Sequence, residues 1–134
     1  TVEQHHIPPQ SRAAYAVRFV LPPRVAYQDA SVTLLTAYPA PSHDSSISLA
    51  ASSPRLTNGR YVFNVTVTNT RAQPTDSVQV YAAVYDAGGR VVGYRLLTAG
   101  NLEAMTTRLL AFDIPLIRVD SPLHVELHSE SQSR

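Results

Sequence analysis

Arg60-Tyr61-Val62-Phe63-Asn64-Val65-Thr66-Val67-Thr68-Asn69 is the stretch that decides the fold. Its odd positions Tyr61, Phe63, Val65 and Val67 are apolar, and Asn64, Thr66 and Thr68 between them are polar. Successive side chains of a strand point to opposite faces, so this alternation predicts a half-buried strand with one wet face. Its β-branched and aromatic residues suit a pleated, half-buried surface.

The period of two recurs on both sides of this stretch. In Ser77 to Asp86, Val78, Val80, Ala82 and Val84 alternate with Gln79, Tyr81, Ala83 and Tyr85. In Ala13 to Val20, Tyr15, Val17 and Phe19 alternate with Ala14, Ala16 and Arg18. In Thr106 to Ile114, Leu110, Phe112 and Ile114 share a face. Val32 with Leu34, and Val125 with Leu127, mark two further strands. Arg90 to Ala99 is continuously β-leaning and holds Gly93, which predicts a bulge or a close backbone approach. Turn chemistry separates the runs. Asn58-Gly59 is a hairpin signal, and Asp86-Ala87-Gly88-Gly89 reads as a hairpin loop. Pro22-Pro23, Pro39-Ala40-Pro41, Pro74 and Pro115 interrupt or bound strands. No segment carries a sustained helical period; Gly100 to Arg108 is short and reads as a loop entering a strand. About eight short strands at this spacing predict an all-β chain, an antiparallel β-sandwich.

Composition narrows the chemistry. The chain has 134 residues, about one domain's worth, and 44% of them are apolar, enough for one core. A net charge of +1 excludes an electrostatic nucleic-acid binder, which needs a basic stripe. There is no Cys, which removes disulfide scaffolds, thiolate metal sites and Cys nucleophiles. All 11 basic residues are Arg, so Lys-based chemistry is absent too. Arg-rich, Lys-free composition fits a GC-rich genome. No apolar run is long enough to span a membrane as a helix. Thr1 to Gln10 lacks the features of a signal peptide and begins without Met, so the chain reads as part of something longer.

Two parts of the chain echo one another. Ile7-Pro8-Pro9-Gln10-Ser11 precedes the strand Tyr15 to Phe19, then Pro22-Pro23, then the strand Ser31 to Thr36. Leu102-Glu103-Ala104-Met105-Thr106 precedes the strand Leu110 to Ile114, then Pro115, then the strand Leu123 to Leu127. This order predicts a tandem repeat: residues 1–42 would be C-terminal strands of a preceding sandwich repeat, or strands completing the sandwich. Residues 43–134 would be the sandwich domain, and Pro39 to Ser53 reads as a linker.

Tyr61 to Leu127 resembles an FxLYD-type domain, a small immunoglobulin-like sandwich of bacterial envelope and secreted proteins. The resemblance is carried by Val65-Thr66-Val67-Thr68-Asn69-Thr70, by Val78-Gln79-Val80 and by Val84-Tyr85-Asp86-Ala87-Gly88-Gly89-Arg90-Val91-Val92-Gly93. Leu102 leading to Phe112 and Ile114 completes it. The family's leading Phe is Ala82 in this chain and its Leu is Val84. The resemblance implies an immunoglobulin-like fold, an extracytoplasmic bacterial setting and a module without catalytic residues or cofactor. Asp86, Gly88 and Gly89 are read as turn architecture: the carboxylate accepts from the turn's N–H groups and the glycines supply left-handed residues.

Candidate sites are few. His124-Val125-Glu126-Leu127-His128 puts His124, Glu126 and His128 on one strand face, where imidazoles and a carboxylate could hold a metal. Alternate residues stand about 7 Å apart along a strand, so the wet face of a terminal strand is the preferred reading. His5, His6, His43 and Asp44 lie near a chain end and in the presumed linker. No Gly-x-Ser-x-Gly elbow, facing acid pair or nucleotide-binding glycine fingerprint is present. Thr1 lacks the Lys that would assist a terminal nucleophile. Asn64-Val65-Thr66 is a chance sequon on a strand's polar face. Tyr81, Tyr85 and Tyr94 can share an outer sheet face, the residue type favoured at protein or carbohydrate contacts; cross-strand pairing is the bland alternative.

The sequence therefore predicts a non-catalytic interaction or spacer module of a bacterial cell-envelope or secreted protein, presenting a sheet face or edge to a protein partner. The alternative is an accessory carbohydrate- or peptide-binding domain of a larger enzyme. The strands near 13–20 and 30–37 are too apolar to stand in water. They must pair with the same sandwich, a neighbouring molecule or an absent half-domain, and a homodimer through edge strands is one form of this.

Overall fold

The computed structural model describes residues 46–132. The expected strands at 13–20 and 31–36, the presumed domain 1–42, and Thr1, His5, His6, His43 and Asp44 lie outside the described residues. Within them the chain is all-β, with antiparallel strands in two packed sheets. The strands are β1 (Ile47–Ala51), β2 (Arg55–Thr57), β3 (Arg60–Asn69), β4 (Thr75–Tyr85), β5 (Val91–Leu102), β6 (Thr107–Pro115) and β7 (His124–Gln132). In the first sheet β3 is central: β1 and β2 pair with its two halves along one edge, and β6 pairs along the other. In the second sheet β4 is central, between β5 and β7.

The alternation in β3 becomes burial. Phe63, Val65 and Val67 face inward and are buried, while Val62 and Asn64 face water. Phe63 lies opposite Phe112 of β6, and their rings stack at 5.3 Å. From the second sheet, Val78, Val80, Ala82 and Val84 of β4 meet them, with Val92, Ala99 and Leu102 of β5. Each fully buried Val or Ile removes apolar surface worth about 1.5–3 kcal/mol, so this double row supplies the main driving force.

The turns follow their residues. Asn58 and Gly59 both take positive φ, 48° and 71°, and close the two-residue hairpin between Thr57 and Arg60. Gly93 lies beside a register shift between Val84 and Tyr85. A Cβ there would stand 2.7 Å from the Leu116 side chain and 2.8 Å from that of Ile114, so both the irregularity and the close approach are present. The stretch after Gly100 is extended further than expected: β5 runs on to Leu102, and the turn is confined to residues 103–106.

The linker expected at Pro39 to Ser53 is corrected over its final part. Residues 47–51 form β1, paired with Val65 to Asn69. Ile-Ser-Leu-Ala-Ala is short and poor in β-branched residues, so its own propensity is weak. Pairing with β3 and burial of Ile47 make it a strand.

Asn69 joins the two sheets at one end of the sandwich. Its side chain is fully buried at the end of β3. Its Nδ2 faces the carbonyl oxygens of Gln73 at 2.9 Å, Glu103 at 3.1 Å and Leu102 at 3.2 Å, the last at the end of β5. Its Oδ1 accepts from the Arg71 N–H at 3.0 Å, and its backbone N–H donates to Thr106. The two N–H groups of its amide are shared among three carbonyl oxygens and its own oxygen takes one N–H, so the buried amide is satisfied. Asn69→Ala removes partners from several buried groups at once and is expected to lower unfolding free energy by about 3 kcal/mol. Asn69→Asp, which aims a carboxylate at carbonyl oxygens, should cost at least as much. Thr68→Ala, which loses an exposed bond to Thr107, should cost under about 1 kcal/mol. Urea unfolding of the three variants checks the ranking.

Candidate functional site: the outer face of the second sheet

Because residues alternate along β4, Val80, Ala82 and Val84 join the core while Tyr81, Ala83 and Tyr85 point to the opposite face. Pairing brings partners to that face. Tyr81 stands opposite His128 of β7 and Leu96 of β5, Ala83 opposite Glu126 and Tyr94, and Tyr85 opposite His124. The three tyrosines named from the sequence are thus brought together. Ala83 and Tyr85 form a second apolar cluster with Tyr94 packed against it. Tyr85 stacks on the His124 ring at 5.1 Å, and the Tyr81 hydroxyl lies 2.9 Å from Gln79 Oε1 and 3.2 Å from Glu130 Oε2.

Along β4 this face is buried. Tyr81 is 2% exposed, Ala83 4% and Tyr85 4%, and Tyr94 is half-buried. The rings of Tyr81 and Tyr85 keep almost no surface in water, while Tyr94 keeps part of its own.

His124, Glu126 and His128 share the outer face of β7, with His124 Nε2 3.7 Å from Glu126 Oε1. The stacking on Tyr85 ties His124 to the tyrosine cluster. Among the described residues no three His, Cys, Asp or Glu side chains are grouped to hold a metal ion. The wet-face reading of His124, Glu126 and His128 predicts that saturating zinc leaves the melting temperature unchanged in a thermal titration, since a ligand of the folded state alone would raise it.

Asp86 caps the β4–β5 hairpin. Its side chain is buried, Oδ1 accepts from the N–H groups of Gly88 and Arg90 at 2.9 Å each, and Oδ2 pairs with the Arg90 guanidinium at 2.8 Å. The Gly89 N–H donates back to the Asp86 carbonyl. Of the two glycines only Gly89 takes positive φ, 73°. Gly88 instead lies close under the carboxylate: a Cβ there would be 3.3 Å from Asp86 Oδ1. The Arg90 N–H, foremost, holds the Asp86 carboxyl below the usual range; desolvation opposes it, and the Arg90 guanidinium and Gly88 N–H add to the lowering. Asp113 is lowered likewise, chiefly by its hydrogen bond from Arg60 Nε at 2.6 Å.

Sequence reading missed the role of Asn69. The residue entered there only as the end of the quoted stretch and as part of the FxLYD resemblance, although an Asn five residues before Pro74 is a signal for a side chain that ties a loop. Among the described residues no helix is long and apolar enough to cross a membrane. Compared with known protein families, curated proteins and solved structures, the chain matches none.

A carboxyl group with a lower pKa folded than unfolded adds stability that is fully present above the unfolded value and lost as pH falls through the folded one. Stability should therefore hold from neutral pH down to about 4, the ordinary Asp range, and fall below it. Asp86→Asn should flatten that acid limb, leaving the share owed to Asp113. Urea unfolding across a pH series measures both limbs.

Proposed function

We propose that the chain is a non-catalytic interaction or spacer module of a bacterial cell-envelope or secreted protein, built on an immunoglobulin-like sandwich and presenting a sheet face or edge to polypeptide. The observation that carries this reading is that β4, the central strand of the second sheet, is buried and mainly apolar on both sides. One apolar face per sheet suffices to close a two-layer sandwich. β4 instead buries Val80, Ala82 and Val84 on one side and Tyr81, Ala83 and Tyr85 on the other. A central strand with apolar rows on both sides suits packing against a further layer of polypeptide. Tyrosine suits that layer, because it brings large area with little rotamer entropy and a hydroxyl for the rim.

The buried polar side chains point the same way. Asn69 and Asp86 are consumed in holding loops, with every named contact to the chain's own backbone or to Arg90. The resemblance to FxLYD-type domains, in Val65 to Thr70 and Val84 to Gly93, supports the envelope setting.

The reading predicts that the chain fractionates with the envelope or medium of its native cells. It also predicts unretarded migration in native gels containing soluble polysaccharides. Retardation by one polysaccharide, abolished by Tyr94→Ala, would replace this reading with an accessory carbohydrate-binding domain.

A further inference from the structure

β6 is an edge strand with a regular ladder. It pairs with β3 without a register shift, and among the described residues no strand pairs on its other side. Alternate N–H and C=O groups of such an edge point away from the sheet, ready to receive another strand. Thr107, Arg108, Leu109, Ala111 and Asp113 are exposed along it.

The two rows of side chains at this edge differ in chemistry. Leu109 and Ala111 lie opposite Thr66 and Asn64 on the sheet's outer face, and Leu109 is 63% exposed. Arg108 lies opposite the buried Val67, on the row that faces the core, and donates to the Ala99 carbonyl of β5. β5 runs alongside β6: Gly93 packs against Ile114 towards one end, and Ala99 meets Arg108 towards the other. Arg95, between Gly93 and Ala99, lies opposite the buried Ala82, so it too stands on a core-facing row, and it is exposed. Asp113 is held below the usual range foremost by the Arg60 hydrogen bond; the charge of Arg95 adds to this, which brings Arg95 to the same edge. Arg60 already pairs with Asp113 at 2.6 Å, so Arg95 and Arg108 leave the edge cationic.

We propose that β6 receives, as an added strand, an extended acidic segment of a partner protein in which carboxylate residues alternate with apolar ones. The inference rests on reading the chain as a module that presents a sheet edge to polypeptide. Main-chain hydrogen bonds supply the affinity, and the two rows of side chains select the sequence. Period two dictates the alternation. Side chains of the incoming strand on the core-facing row meet Arg95 and Arg108, and those between them lie beside Leu109 and Ala111. A second copy of β6 is a poor occupant. Paired across a two-fold axis, it brings Arg95 and Arg108 towards their own counterparts, and like charges across strands repel. Charge on the core-facing row of an edge bars an identical strand in this way, while an acidic strand meets attraction.

Titration of the full chain with a fluorescein-labelled peptide alternating glutamate with valine, read by anisotropy and by amide hydrogen exchange, tests the assignment. The peptide should bind, and alternate amides between Thr107 and Ile114 that exchange fast in the free chain should slow at least roughly ten-fold. Arg95→Glu, at an exposed position, should weaken binding by about ten-fold, and Arg95→Lys should keep most of it. Two control peptides, one with the same glutamates gathered in a block and one with lysine for glutamate, should each bind at least about ten-fold more weakly. No binding at millimolar peptide, equal binding of either control, protection elsewhere than β6, or indifference to Arg95→Glu would overturn the proposal and leave the module reading standing. A free chain that light scattering shows to be dimeric, with β6 amides already slow, would assign the edge to a second copy and overturn it too. A chain absent from the envelope and medium of its native cells would overturn the underlying reading, whatever the peptide does.

Discussion

One carboxamide holds the end of this sandwich. Two sheets pressed together by apolar side chains alone could slide, because the hydrophobic effect has no direction. Asn69 supplies direction. Its amide reaches from the last residue of β3 to the last carbonyl of β5, and from there into both neighbouring loops. Buried without exposure, it cannot exchange these partners for water. The register of β3 against β1 and β6, and the path of the chain from 70 to 74 and from 103 to 106, are fixed around that point. Arg108 adds a second tie, donating from β6 to the Ala99 carbonyl of β5.

At the other end of the second sheet, Asp86 does for a hairpin what Asn69 does for the sandwich. It gathers N–H groups that the tight turn leaves without strand partners and neutralises its own charge on Arg90. Between these two polar anchors β4 is free to be apolar on both sides. The hairpin begins directly after Tyr85, so the anchor also sets where the tyrosine meets His124.

Much of the fold was legible because one strong signal, alternation, runs through β3, β4 and β6. Arg60 to Asn69 was bounded to the residue, since its turn at Asn58-Gly59 and its inward Val and Phe agree. β1 was hidden because Ser48, Ala50 and Ala51 carry no pattern of their own; its pairing with β3 is a long-range fact. β5 outran its expected end because Gly100, a turn signal in sequence, takes positive φ inside a strand. The tyrosines could be placed on one face from spacing alone. Their burial could not, because period two assigns faces without saying which of them will be covered. Two of the three carbonyls that Asn69 reaches belong to residues 102 and 103, separations that no local pattern encodes; only that of residue 73 is near in sequence.

The edge opposite β6 is divided between β1 and β2, and Ser52 to Pro54 interrupts it. The break is held in place: the Ser52 N–H donates to the Asn64 carbonyl, and the Asn64 N–H donates to the Ser52 hydroxyl. Neither β1, five residues long, nor β2, three, offers a long straight ladder for a foreign strand to extend. Proline at the gap removes one donor more. Such an edge resists the stacking of chain upon chain that ends in fibres, so a protein whose β4 is apolar on both sides stays safe from recruiting its own kind along this side.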